Sequence, residues 1–259
     1  MALALVSASC AAPLMTLPPG PGTPAGDGPE AVVEATTACR AVRTISAEVG
    51  VSGSVGGHRV RGRLLVGLAD PGAVRLEALS PAGPPVFIFV ARADSATVLM
   101  SSDNRFLEGG HPAAVLEAMT GVPLDPDDLR LVLTGCVAEP DSLVVQQLAD
   151  DWRLARGATT DSYLRRMPAG TPWRVVASSR KATDRAGWRA EFTAFDRGLP
   201  SAVRVAALDG RRFDLHLALS QVEINQPFGD DVFRVRIPAG AAPVTLEELR
   251  RSGPLGGGR

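Results

Sequence analysis

The sequence predicts a mainly β protein with short helices, built on a single large curved antiparallel sheet. Three observations predict it. Apolar and polar residues alternate with period two in segment after segment. The segments are joined by tight turns such as Gly56-Gly57 and Asp70-Pro71-Gly72, as in a meander of hairpins. Only a few stretches show helical spacing, so a βαβ series with a parallel nucleotide-binding sheet is disfavoured.

The elements follow in order. Val32, Val33, Ala35, Thr36, Cys39 and Val42 recur at helical spacing and predict an amphipathic helix from Glu30 to about Arg43. Ile45, Ala47, Val49 and Val51 then alternate with Ser46, Glu48, Gly50 and Ser52, and the Gly56-Gly57 turn leads into a second strand. There Val60, Gly62, Leu64, Val66 and Leu68 share one face and Arg59, Arg61 and Arg63 the other, a solvated row or one that meets an anionic headgroup. Strands follow at Ala73–Leu79, Val86–Ala91 and Ala96–Met100. Two short helices interrupt them. Pro112 opens the first, with Val115, Leu116 and Met119 as its apolar stripe. Asp125 caps the second, Asp127 and Asp128 suit its dipole, Leu129, Val132 and Leu133 face inward, and Gly135 stops it. Strands return at Trp152–Arg156, Tyr163–Arg166, Trp173–Ser178, Trp188–Phe195, Ala202–Leu208 and Phe213–Ile224. In the last, the inward phase passes from Leu219 to Val222, which predicts a β-bulge near Gln221. A strand near Val232–Ile237 and a helix capped by Thr245-x-x-Glu248 close the chain. So many strands with so few helices leave the aliphatic face of the sheet partly uncovered, as a greasy cleft; the alternative is a closed, dry, filled barrel.

Composition narrows the function. Over 259 residues, 27 basic and 28 acidic side chains leave a net charge of -1, without the electrostatic footprint of a nucleic-acid binder. No run of 18 or more apolar residues could span a membrane as a helix. Residues 1–10, MALALVSASC, read as a truncated secretory signal ending in a lipobox, with Cys10 as the lipid anchor and a start upstream of Met1; the alternative is a disordered N-terminus with an incidental free thiol. Residues 11–29, rich in Pro and Gly, read as a flexible tether, 30–238 as the β domain and 239–259 as a tail with a short helix. Of the three cysteines, Cys39 and Cys136 remain as either a disulfide or two separate thiols.

Catalytic patterns do not hold. Ser178-x-x-Lys181 and Ser102-Asp103-Asn104 are similar to motifs of penicillin-recognising serine enzymes, but their order is reversed and no Lys-Thr-Gly follows. His58, His111 and His216 are scattered, with His216 expected in solvent, and no metal site, catalytic residue or cofactor is expected. The carboxylate pairs Asp127-Asp128, Asp150-Asp151 and Asp230-Asp231 read as caps and turns.

Three blocks carry a resemblance. Val74–Gly83 contains RLEALSPAG, Met119–Leu133 reads MTGVPLDPDDLRLVL, and Trp188–Ile224 holds a Trp strand, a Leu-Pro connector and an Arg-Phe-x-Leu-x-Leu strand. In this order they resemble the LolA/LolB lipoprotein-sorting family of the Gram-negative envelope, more closely LolB, the outer-membrane lipoprotein receptor. The resemblance covers roughly Thr37 to Ile224. It implies an incomplete β-barrel with a helical lid over a hydrophobic cavity. It also implies acceptance of lipoprotein acyl chains, a LolA-type carrier as partner and a lipid-anchored monomer on the periplasmic face of the outer membrane. The loop Pro81, Ala82 and Gly83 would be the membrane-delivery loop; the family's receptor exposes a leucine where Ala82 stands. The residues expected to contact acyl chains are Leu64, Val66, Leu76, Phe87, Phe89, Val98, Leu116, Met119, Leu129, Leu133, Phe192, Leu215 and Leu217. The alternative is a non-catalytic envelope lipoprotein that uses the same scaffold for protein interaction or assembly, with a hydrolase acting through Ser178 as the third reading.

Overall fold

The computed structural model describes residues 13–81, 83–138, 142–166, 170–183, 186–229 and 231–252. In chain order the elements are β1 (Thr23–Pro24), α1 (Gly28–Arg40), β2 (Thr44–Val55), β3 (His58–Ala69), β4 (Ala73–Ala78), β5 (Phe87–Arg92), β6 (Ser95–Met100) and β7 (Arg105–Gly110). Then come α2 (Pro112–Thr120), α3 (Pro126–Thr134), β8 (Val144–Ala149), β9 (Trp152–Arg156), β10 (Thr160–Arg165), β11 (Arg174–Arg180) and β12 (Trp188–Asp196). The chain closes with β13 (Leu199–Ala207), β14 (Phe213–Ile224), β15 (Ala242–Pro243) and α4 (Leu246–Ser252).

All fifteen strands belong to one sheet in the order β1-β8-β9-β10-β11-β12-β13-β14-β2-β3-β4-β5-β6-β7-β15. Every neighbouring pair is antiparallel except β7 with β15. The two halves of the chain meet at β14 and β2, the last and first strands of their respective meanders. The edges β1 and β15 do not pair with each other, so the sheet curls without closing and the filled-barrel alternative is excluded.

Alternation places the apolar residues on the inner face. Opposite residues of an antiparallel ladder share a face. Val49 therefore lies beside Leu64 and Leu219, and Val66 beside Ala47 and Leu76. The helices lie over this face: α1 against β8–β11, α2 against β5 and β6, and α3 against β13. α3 starts where Asp125 and Asp128 form a reciprocal capping box, and α2 and α3 end at Gly121 and Gly135, whose φ of 69° and 65° suits glycine. The bulge expected near Gln221 is present, with the β14–β2 register shifting between Ser220 and Glu223 and Gln221 at φ 52°.

Segments near both chain ends lie against the outer face, and α4 returns to pack on α2. Asn225 accepts from the Arg43 N–H at 2.7 Å and donates to the Ala41 carbonyl at 2.9 Å, fixing the exit from β14. Beyond it Phe228 packs near Gly67 and edge-to-face on Phe233, and Arg75 donates to the carbonyls of Val232 and Arg234. The strand expected at Val232–Ile237 is thus replaced by a strap, because a side chain and not a ladder takes its carbonyls. α4 keeps its Thr245–Glu248 cap and buries Leu249 against α2. The Pro/Gly-rich segment expected as a free tether also lies on the sheet. The Met15 N–H donates to Glu191 at 2.7 Å, Thr23–Pro24 pairs with Gln146–Gln147, and Asp27 receives both arms of Arg153.

Candidate functional site

A cavity of 420 Å³ lies between the inner face and the helices, within the range of small-ligand pockets. Its floor is built by the central strands: Val49 and Val51 of β2, Val60, Leu64 and Val66 of β3, Leu76 and Ala78 of β4, Phe87 of β5, Val205 of β13, and Leu215 and Leu217 of β14. Its roof is Leu116 and Thr120 of α2, Val122 and Leu124 of the connector, and Leu129 and Leu133 of α3. Leu79 and Val86 border it from the β4–β5 connection. The wall is aliphatic, with one aromatic ring and no carboxylate among the described residues, so it suits saturated chains and gives no group that would select between them.

Most of the expected lining is brought together here: Leu64, Val66, Leu76, Phe87, Leu116, Leu129, Leu133, Leu215 and Leu217. Phe89, Val98, Met119 and Phe192 do not line it. Phe89 and Val98 lie under α2, Phe192 packs next to Gly135 at the end of α3, and Met119 is buried on the helix that α4 clamps. These side chains are buried where helix and sheet meet without a gap, whereas the void lies beneath α2 and α3 around Leu116, Leu129 and Leu133. Sequence reasoning missed Val49, Val51, Val60, Ala78 and Val205 of the floor, Thr120, Val122 and Leu124 of the roof, and Leu79 and Val86 beside them. The hairpin register set by Gly56-Gly57, which puts Val51 opposite Gly62 and Val49 opposite Leu64, carries the signal for the first three.

Gly62 contributes to the void by what it lacks. A Cβ built there would meet nothing within 4 Å, although its strand neighbours point into the cavity. Arg59, Arg61 and Arg63 also border the cavity, in contrast to the strict division of faces that alternation predicts.

Covalent and ionic ties hold the roof, among them an ion pair of 3.1 Å between Arg130 of α3 and Asp70. Cys39 of α1 and Cys136, just after α3, form a disulfide with a Cα–Cα distance of 5.5 Å across 97 residues of chain. On the other side Arg180 of β11 pairs with Asp128, which is buried, and lies 3.6 Å from Asp125. Burial first, and then the neighbouring Asp125 carboxylate, push Asp128 above the ordinary carboxylate range, with Arg180 opposing; burial raises Asp127 too. Removing Arg180 leaves a buried charge at the α3 cap. Arg180→Ala is expected to cost about 3 kcal/mol at neutral pH. The cost shrinks in acid, because a carboxyl whose folded-state pKa is raised stabilises the fold in its protonated form and loses that stability as pH rises. Urea unfolding at pH 7 and pH 4 measures both.

The remaining perturbed groups are structural. The Arg204 fork on Asp214, and that of Arg153 on Asp27, hold both carboxyls below their ordinary range. Burial lowers Arg189, which donates to the Met15 carbonyl, and raises Tyr163. Ser178 is buried with its hydroxyl 3.2 Å from that of Ser162, while Lys181 reaches the Gly157 carbonyl and Asp161, so that the pair is spent on strand-end contacts. Ser102 and Asn104 form the β6–β7 turn. His216 is exposed on the outer face, opposite Ser52 and Arg204. Among the described residues no three His, Cys, Asp or Glu side chains gather as a metal site would require. Pro81 and Gly83 stand in the connection that borders the cavity, whereas Ala82 and Cys10 lie outside the described residues.

No protein-family model and no curated protein matches the sequence. Solved structures do match the fold. A LolA superfamily protein from Nitrosomonas europaea superposes with a TM-score of 0.56 at 11% identity, over 80% of this chain and 96% of that one. A DUF1329 family protein from Desulfovibrio piger gives 0.55 at 11% identity, over 82% and 98%. A proposed outer-membrane lipoprotein-sorting protein domain from Vibrio parahaemolyticus gives 0.51 at 9% identity, over 80% and 96%. The curled, unclosed sheet with its helical cover is therefore the fold found in the LolA superfamily.

Proposed function

We propose that this chain binds the acyl chains of a lipid or lipoprotein in the bacterial envelope and performs no chemistry on them. The observation that carries the reading is the roofed aliphatic cavity of 420 Å³, left unfilled by side chains beneath α2 and α3. Each buried methylene is worth about 0.8 kcal/mol against water. A chain arriving from a membrane or another carrier exchanges one apolar medium for another, so transfer is nearly balanced and reversible. That is the property of a carrier or receptor. The resemblance to LolB, together with the sorting-protein neighbour, favours lipoprotein cargo handed over by a LolA-type carrier. With Cys10 acylated, the domain would stand on the periplasmic face of the outer membrane.

Leu129 and Leu217 test the reading from opposite walls, because both line the cavity while only half-buried, so the fold tolerates their replacement. Leu129→Glu and Leu217→Glu place a carboxylate against the bound chain. Each is expected to weaken binding of an uncharged fluorescent acylglycerol by at least about tenfold, with circular dichroism unchanged. Unchanged binding in both variants would contradict the assignment.

A further inference from the structure

The lining of the cavity contains an exception to strand alternation. Arg59, Val60, Arg61, Gly62, Arg63 and Leu64 all border it, six consecutive residues of one strand. In the interior of a sheet only every second residue can face one side. Both parities can reach the same space only where the strand has an open flank, and β3 has one. Its pairing with β4 begins at Leu64↔Ala78, whereas its pairing with β2 continues to His58. The cavity therefore opens across the unpaired edge of β3 at residues 58–62.

That edge is cationic, and of its three arginines only Arg63 has an acidic partner among the described residues. Arg63 pairs with Glu48 at 3.2 Å and keeps 59% of its side chain exposed. Arg59 and Arg61 are exposed, and among the described residues no carboxylate lies within ion-pair distance of either. Asp214, in the same cross-strand row as Arg59 through Ser54 of β2, is taken by both arms of Arg204. The backbone adds donors. The Arg63 carbonyl accepts from the Leu79 N–H, so it points to the open side. The two-residue period of the ladder turns the N–H groups of Arg61 and Arg59 to that side as well.

We infer that this open edge of β3 is a headgroup site, and that the ligand is a single anionic, phosphate-bearing lipid whose chains fill the cavity while Arg59, Arg61 and Arg63 meet its phosphate at the mouth. The inference rests on the acyl-chain reading and adds the class of lipid. Guanidinium groups match phosphate oxygens in a two-pronged geometry, and backbone N–H groups on the same residues complete the cradle. Each contact is solvent-exposed and individually weak, so together they give a preference of about tenfold and not an absolute requirement.

The test is native mass spectrometry of the full chain, offered equimolar dioleoyl phosphatidylglycerol and dioleoyl phosphatidylcholine in detergent. These lipids share their chains and differ in net headgroup charge. The wild type is expected to take up the phosphatidylglycerol about tenfold in excess, with the excess shrinking as salt rises. The triple variant Arg59→Gln, Arg61→Gln, Arg63→Gln should lose the preference and bind both lipids equally, with phosphatidylglycerol weakened the more. Equal uptake by the wild type would overturn the inference while leaving the acyl-chain reading intact; uptake of neither lipid would end both. A triple variant that keeps the preference would also overturn it. Filling the cavity through Gly62→Trp should abolish uptake of phosphatidylglycerol. Retained uptake would show that the arginines dock on a lipid surface and do not serve a lipid held in the cavity.

Discussion

Replacing Cys39 and Cys136 together by alanine is expected to lower the free energy of unfolding by about 4 kcal/mol, since a cross-link over a loop of this length removes much of the freedom of the unfolded chain. Part of the loss is local. The bond joins the end of α1 to the residue after the Gly135 stop of α3, so it holds the opposite end of α3 from the Arg180–Asp128 pair. Urea unfolding of the variant without reductant, against the wild type with and without it, measures the effect. The reduced wild type and the variant should unfold at similar urea concentrations, both well below the oxidised protein. A shift of less than about 1 kcal/mol would mean that packing and the ionic ties hold the helices without the bond.

Filling the cavity gives the largest expected change in binding. Gly62 lies in an extended strand with nothing within 4 Å of the Cβ position, and its partner across the ladder is Val51, itself part of the floor. Gly62→Trp therefore adds an aromatic side chain to empty space and displaces nothing, and a strand accepts an aromatic residue better than glycine. The thermal midpoint should be unchanged or higher. Binding of an uncharged acylglycerol should fall by about a hundredfold, because the ring occupies the volume that the chain would take. Stability gained with binding lost is a combination that general damage to the fold does not produce. A variant that is stable and binds at the wild-type level would place the lipid elsewhere.

The sequence carried the strands wherever alternation was pure, as in Thr44–Val55 and His58–Ala69, and carried the helices wherever caps were explicit, as at Asp125 and Gly135. It concealed β7 (RFLEGG) and β8 (VVQQLA), where glycine or paired glutamines break the alternation. It also suggested a strand at Val232–Ile237, where the alternating residues serve an outer strap tied by Arg75. The lining was legible as a set of aliphatic side chains but not as a place. Phe89 and Phe192 carry the same pattern as Leu64 and Leu217, and only the footprint of α2 and α3 decides which of them meet a helix and which meet a void. The mouth was hidden for a different reason. Arg59, Arg61 and Arg63 read as an outward row because alternation assumes a neighbour on both flanks, and the early end of β4 removes one.

The most direct measurement is the native mass of the full-length chain recovered from envelope membranes in mild detergent, followed by organic extraction of whatever it carries. A chain that leaves the membrane with its cavity occupied should show one added mass per protein, which is lost on denaturation and recovered in the organic phase as an acyl lipid. A protein that arrives at its bare polypeptide mass, and that takes up no acyl lipid when one is supplied, would contradict the account.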